Sequence, residues 1–229
     1  MVPFGVLGMM TKFILAGHSK GILIYMQSTN NIFTRNVPGT TEILQKRIVG
    51  IAGCGGLGSN AAVALVRAGI GKLILADFDI VEVSNLNRQY YFQADIGEIK
   101  VEALARHLKA INPEIDLDLH KIELTPENIS LIFRDADLLI EAFDRAESKQ
   151  WLIEAWCRAF PEKPIIVGSG LSGLGNSNSL KVQQAGNIYF CGDGETDMSM
   201  GLCSPRVAIA ANMQANTAIE ILVSSIGKR

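Results

Sequence analysis

The chain has 229 residues and a formal net charge of -2, with 48% hydrophobic and 19% charged residues. That is long enough for one large domain with a full core, too apolar for a disordered chain, and not basic enough for a general nucleic-acid binder. Its four cysteines are few, scattered and free of any C-x-x-C, which excludes a disulfide framework and points to reduced thiols in a cytoplasmic protein.

Residues 1–40 read as an N-terminal arm. Phe13–Ala16 and Gly21–Met26 have the character of short strands, but Asn30-Asn31 and Pro38-Gly39 interrupt the pattern. The start lacks the charged-then-apolar order of a signal peptide, and no apolar run approaches the roughly 18 residues of a membrane span. Residues 41–229 read as the domain proper, entered by a short polar helix at Thr41–Arg47. The continuous apolar run Ile48–Ala52 predicts a strand buried on both faces. A glycine-rich turn follows, then a helix over Ala61–Ala68 stopped by Gly69, and a second strand at Lys72–Ala76. Val101, Leu104, Leu108 and Ile111 recur at helical spacing before Asn112-Pro113. Ile115–Leu119 alternates as a half-exposed strand, and Thr125-Pro126 predicts the start of a short helix to Phe133. Asp137–Ala142 is a strand, Ala146–Phe160 a helix and Pro164–Gly168 another strand. Leu180–Phe190, with its Ala185-Gly186-Asn187 turn, predicts a hairpin, and Ser204-Pro205 opens a long last helix to Val223. Strands alternating with helices in this way predict an α/β fold: a doubly wound, mainly parallel Rossmann-like sheet with an added antiparallel hairpin.

The 22 glycines exceed the usual share of roughly 7%. Gly53, Gly55, Gly56 and Gly58 form G-x-G-G-x-G between a strand and a helix, the context in which such a loop cradles phosphates. Asp77 ends the second strand about 20 residues on, where an acid takes ribose hydroxyls. The loop alone does not say which nucleotide is bound.

The next segment is unlike a dehydrogenase. Asp77-Phe78-Asp79-Ile80-Val81 runs on to Ser84-Asn85-Leu86-Asn87-Arg88-Gln89, then come Gly97 and Lys100-Val101-Glu102, and Asp144 follows the fourth strand. On these motifs the chain resembles the ThiF/MoeB/HesA family, bacterial relatives of ubiquitin-activating enzymes, from about Arg47 to the last helix. Arg35–Gly39 and Ala142–Glu147 look most like a short ThiF branch that activates the sulfur carrier of thiamine biosynthesis. The resemblance implies a homodimeric adenylyltransferase that uses Mg-ATP on the C-terminal glycine of a ubiquitin-like carrier ending in Gly-Gly. It also implies an Arg reaching across from the partner subunit, for which Arg35 is the nearest match.

The chemistry fits the residues. A carboxylate of pKa near 3.5 is already ionised at pH 7, so no general base is needed. Charge neutralisation is needed instead, which Arg88 and Lys100 can supply. Asp144 can hold Mg²⁺ alongside waters, and Asn85 can bond phosphate or hold its loop. Each has a plainer alternative: Arg88 and Lys100 as solvated charges, Asp144 as a helix cap, and Asp79 as a turn residue.

Zinc-bearing relatives carry two C-x-x-C pairs; here Cys191 and Cys203 stand singly at those places, so no structural zinc is expected. Cys203 is the positional candidate for sulfur transfer, though a half-buried small residue is the commoner fate. The glycine-rich stretches 168–175 and 192–201 read as flexible walls for an extended tail. Trp151 and Trp156 read as core or dimer interface, and His18, His107 and His120 show no ligand spacing. Three rivals remain open: a tRNA-modifying dehydratase, a nicotinamide-dependent oxidoreductase, and a non-catalytic scaffold subunit.

Overall fold

The computed structural model describes residues 32–224, so Phe13–Ala16, Gly21–Met26 and most of the expected arm lie outside the described residues. Arg35 to the C-terminus makes up one unit. Its elements are α1 (Thr40–Leu44), β1 (Ile48–Ala52), α2 (Gly56–Ala68), β2 (Lys72–Ala76), α3 (Lys100–Ile111), β3 (Asp116–His120) and α4 (Ile129–Ile132). There follow β4 (Leu138–Glu141), α5 (Ala146–Ala159), β5 (Ile165–Gly168), β6 (Lys181–Ala185), β7 (Ile188–Gly192) and α6 (Ser204–Ser224).

One seven-stranded sheet has the order β3-β2-β1-β4-β5-β7-β6. All its pairings are parallel except β6 with β7. This is the expected doubly wound sheet with its added hairpin. Winding reverses between β1 and β4, which opens a crevice at the carboxyl ends of those strands. Val49, Ile51 and Ala52 are fully buried because helices cover both sheet faces. Leu57, Leu65, Leu104 and Leu108 of α2 and α3 join Ala211 and Ala215 of α6 on one side. Ile129, Phe133, Leu152 and Trp156 of α4 and α5 cover the other. No described helix is long and apolar enough to cross a membrane.

Two boundaries differ from the sequence expectation. α2 starts at Gly56 rather than Ala61, so the second half of the glycine loop is itself the first helical turn. Glycine has poor intrinsic helix propensity, which hides this turn from pattern reading. Side chains hold it: Ser59 Oγ donates to the Gly55 carbonyl at 2.6 Å and Asn60 Nδ2 to the Gly56 carbonyl at 2.7 Å. Thr125-Pro126 does not open a helix. Asn128 Oδ1 accepts the Thr125 N–H at 2.9 Å while its Nδ2 donates to the Glu123 carbonyl at 2.9 Å, closing a turn before the single turn of α4.

A crossover segment from Asp77 to Ile99 lies between β2 and α3. Buried Asp95 clasps it, accepting the Phe92 N–H at 2.7 Å, Arg106 Nη2 at 2.5 Å and His107 Nε2 at 2.7 Å. Burial works against this carboxylate, but the Phe92 amide, His107 and Arg106 outweigh it and hold its pKa below the ordinary value.

These contacts set two expectations. A Cβ at position 58 would lie 1.9 Å from the Gly53 carbonyl oxygen, so Gly58→Ala is expected to lose about 3 kcal/mol or more in urea unfolding. A carboxyl with a depressed folded pKa stabilises the fold above its unfolded value near 3.9 and loses that contribution as pH falls through the folded value. Urea midpoints of the wild type should therefore drop below about pH 4, and Asp95→Asn should show a shallower drop over that window.

Candidate functional site

The crevice holds a cavity of about 430 Å³ whose lining comes from the ends of β1, β2, β4 and β5, the crossover segment and two later loops. Its floor is the glycine loop. Gly53 follows β1 directly, and Gly55 and Gly56 begin α2, so backbone N–H groups and the helix dipole face the space. Asp77 fixes the shape of this loop. Its Oδ2 accepts the Cys54 N–H at 2.6 Å and its Oδ1 the Asp79 N–H at 2.8 Å. Burial raises the Asp77 pKa, and the two amides and Lys100 pull it back only in part.

Lys100 is the first residue of α3 and is only 5% exposed. Its ammonium lies 2.7 Å from Asp79 Oδ2, inside the cavity lining. Arg88 also lines the cavity, its Nη1 resting on the Ser84 carbonyl at 3.1 Å and Asn87 Oδ1 at 2.8 Å, with no ion pair among the described residues. Asp144 also lines the cavity, exposed on the β4–α5 loop, with no hydrogen bond or ion pair among the described residues. The residue capping α5 is Arg145, so Asp144 does not serve as the cap. A bare carboxylate lining the same cavity as Arg88 and Lys100 has the donor chemistry that suits Mg²⁺, which takes one or two carboxylates plus waters.

The structure thus brings together Gly53, Gly55, Gly56, Asp77, Arg88, Lys100 and Asp144. Gly58 stands behind them, packed on the Gly53 carbonyl. Asn85 and Arg35 are not among the lining residues. Asn85 is buried, and its Oδ1 accepts the Glu82 N–H at 3.0 Å, so it holds the loop that carries Arg88. Arg35 is exposed, ahead of α1.

Several lining residues take places that the sequence motifs do not assign to them. Asp79 has the character of a turn residue, but it is the partner of Lys100. Gln89 is buried beside the glycine loop, and its Oε1 has no partner among the described residues. The apolar pattern of α5 groups Trp151 with Trp156. Five residues at about 100° each set them roughly 140° apart on the helix, so Trp156 is fully buried while Trp151 packs on the core only in part. Trp151 lines the cavity beside Phe143, ring centroids 5.6 Å apart.

Lys149 is the other omission. Its three ammonium hydrogens meet Glu141 Oε1 at 2.9 Å, Glu141 Oε2 at 2.8 Å and the Gly168 carbonyl at 3.0 Å. Glu141, fully buried at the end of β4, also accepts the Phe143 N–H at 2.7 Å. Burial pushes its carboxyl up, and Lys149 offsets that only in part. The signal in sequence is a Glu closing an apolar strand with a Lys in the first turn of the following helix.

Fold and site together define a doubly wound α/β protein with a glycine-rich strand-to-helix loop beside cationic side chains. The chain belongs to the ThiF family, whose model matches residues 29–228. It is similar to adenylyltransferase and sulfurtransferase MOCS3 of Anopheles gambiae, with 30% identity over 199 residues covering 80% of this chain and 43% of the relative. It is 33% identical over 195 residues to ubiquitin-like modifier-activating enzyme 5 of Drosophila pseudoobscura pseudoobscura, covering 80% and 46%. The chain thus spans less than half the length of these curated relatives. In fold it resembles the E. coli tRNA N6-threonylcarbamoyladenosine dehydratase solved with AMP, at TM-score 0.76 and 22% identity, covering 82% of this chain and 91% of that one. E. coli MccB shares the fold at TM-score 0.65 and 22% identity, covering 80% and 58%.

Removing the Lys149 ammonium leaves a buried carboxylate without its counter-charge. Lys149→Met is expected to cost about 3–5 kcal/mol in urea unfolding, and the double variant Glu141→Gln/Lys149→Met should recover much of that loss.

Proposed function

We propose that this chain adenylates the C-terminal glycine of a ubiquitin-like sulfur-carrier protein with ATP and releases pyrophosphate. The observation that carries the proposal is a glycine-rich loop sharing its cavity with Arg88, Lys100 and the bare carboxylate of Asp144, with no histidine in the cavity lining. That set suits a reaction needing charge neutralisation and no proton abstraction.

The carrier's terminal carboxylate, ionised at neutral pH, attacks the α-phosphorus. A bond forms from its oxygen to phosphorus, the α–β bridging bond breaks, and the electron pair leaves on pyrophosphate. Arg88 can fork onto phosphate oxygens, and Lys100, presented by Asp79, adds a point charge. Asp77 retains free lone pairs for ribose hydroxyls, and the glycine-loop amides orient the phosphates. Asp144 would hold Mg²⁺, which supplies further neutralisation of the triphosphate. In a cytoplasmic homodimer, Arg35 would serve the partner's cavity. Arg35–Gly39 and Ala142–Glu147 support the thiamine thiazole pathway as the setting.

A tRNA substrate is less well supported. The lining carries Asp77, Asp79, Glu123, Asp144 and Asp197 against Arg88, Lys100, Arg145 and Lys149, which offers a polynucleotide no positive excess.

ATP–pyrophosphate exchange should appear on adding a carrier ending in Gly-Gly, and the protein should sediment as a dimer. Arg88→Ala and Asp144→Ala are each expected to lower exchange about 100-fold or more. No exchange with any Gly-Gly carrier, together with a shift of labelled tRNA in low salt, would select the dehydratase reading instead.

A further inference from the structure

Two further walls of the cavity are formed by Ser169, Gly170, Leu171 and Ser172 after β5 and by Thr196 and Asp197 after β7. Glycine-rich stretches of this kind read as flexible in sequence. In the structure they are tied to one buried ion pair. Arg206, in the first turn of α6, is 4% exposed, and Asp193, just past β7, is 9% exposed. Arg206 Nη2 bonds Asp193 Oδ2. Its Nη1 donates to the Gly175 carbonyl at 2.7 Å, at the far end of the first wall. Asp193 Oδ1 accepts the Glu195 N–H at 2.8 Å, the Thr196 N–H at 2.9 Å and the Thr196 hydroxyl at 3.1 Å, which shapes the second wall. Thr196 Oγ1 in turn accepts the Ser172 N–H at 3.2 Å, linking the walls to each other.

The backbone leaves little room between these parts. Gly170 has φ +69°, and a Cβ there would lie 2.0 Å from Asp193 Oδ1. The Asp193 N–H donates to the Gly170 carbonyl at 2.9 Å and the Gly194 N–H to the Ser169 carbonyl at 3.1 Å. The near end of the first wall is held separately by Lys149 at the Gly168 carbonyl. None of these bonds reaches the glycine loop, Asp77, Arg88 or Lys100.

We infer that Arg206 and Asp193 are a positioning pair for the acceptor side of the cavity: they hold both walls preformed and govern binding of the carboxylate substrate, not of ATP. A fork is required, because one guanidinium serves the carboxylate and the opposite wall at once. A lysine keeps the charge but cannot span both. This rests on the adenylation reading for its substrate and on the bonds alone for its structural part.

The test uses the full chain with Arg206→Lys and, in case that variant unfolds, the neutral double variant Asp193→Asn/Arg206→Gln. Backbone hydrogen exchange is followed by mass spectrometry, and ATP binding by calorimetry. Exchange over 169–176 and 192–197 should quicken tenfold or more while 53–60 is unchanged, and the Kd for ATP should stay within twofold. In ATP–pyrophosphate exchange with a Gly-Gly carrier, the KM for carrier should rise tenfold or more with kcat within threefold and the KM for ATP unmoved. Unchanged exchange in the two walls, ATP affinity falling along with carrier affinity, or full rescue by lysine would each overturn the inference. If wild-type protein shows no exchange with any carrier, the adenylation reading fails, while hydrogen exchange and ATP binding still decide the role of the pair.

Discussion

The carboxylate at the end of β2 reaches back to hold the loop at the end of β1. Asp77 takes the Cys54 N–H at 2.6 Å, and the Tyr91 hydroxyl donates to the Cys54 carbonyl at 2.8 Å, so one residue is gripped at both its amide and its carbonyl. Asn60 Nδ2 donates to the Arg88 carbonyl at 3.0 Å and Ser59 Oγ accepts the Tyr90 N–H at 2.9 Å, which fastens the Arg88 segment to α2. Loop, cation and acid are therefore one bonded unit. On the proposed reading, a site assembled in advance needs no reorganisation when phosphate charge develops, which is how fixed dipoles become effective. Partial burial raises the Asp77 pKa, the direction expected of a carboxylate withdrawn from water.

The two buried ion pairs flanking the cavity follow the same logic. Burying Glu141 with Lys149, or Asp193 with Arg206, is weak evidence for stability, because desolvation of both charges opposes their attraction. Apolar side chains of similar volume would pack at least as well. What these pairs provide is direction: Lys149 donates to a carbonyl at one end of the first wall and Arg206 to a carbonyl at the other. Between those anchors the backbone runs through glycines without regular secondary structure and still keeps one shape. Asp193 stays ionised between its partners. Burial disfavours its charge, but the amides and hydroxyl of the 195–196 turn and Arg206 prevail and lower its pKa.

Most of the fold was legible because its signals are local. The strands at Ile48–Ala52 and Lys72–Ala76 have the bounds that their apolar runs predict. The helices ending at Ala68 and Ile111 stop at Gly69 and before Asn112-Pro113, as breakers should make them. The site was legible to the extent that its residues lie within a motif: Gly53, Gly55, Gly56, Asp77, Arg88, Lys100 and Asp144 meet in one cavity. Asn85 belongs to the same motif but faces its own loop, because spacing along the chain says nothing of which way a side chain turns.

What the sequence determined by itself is the order and type of elements and the presence of a glycine-rich loop between a strand and a helix, since apolar period, glycine placement and capping residues act over a few neighbours. What only the tertiary structure decided is which charges are engaged and by whom. Lys100 is engaged by Asp79, Lys149 by Glu141 and Arg206 by Asp193, across 21, 8 and 13 residues of chain. The same is true of Trp151, set on the cavity side of a helix whose other tryptophan is core. Such pairings depend on where the sheet places the ends of its strands, and a charge's solvation and reach are properties of that location, not of its neighbours in sequence.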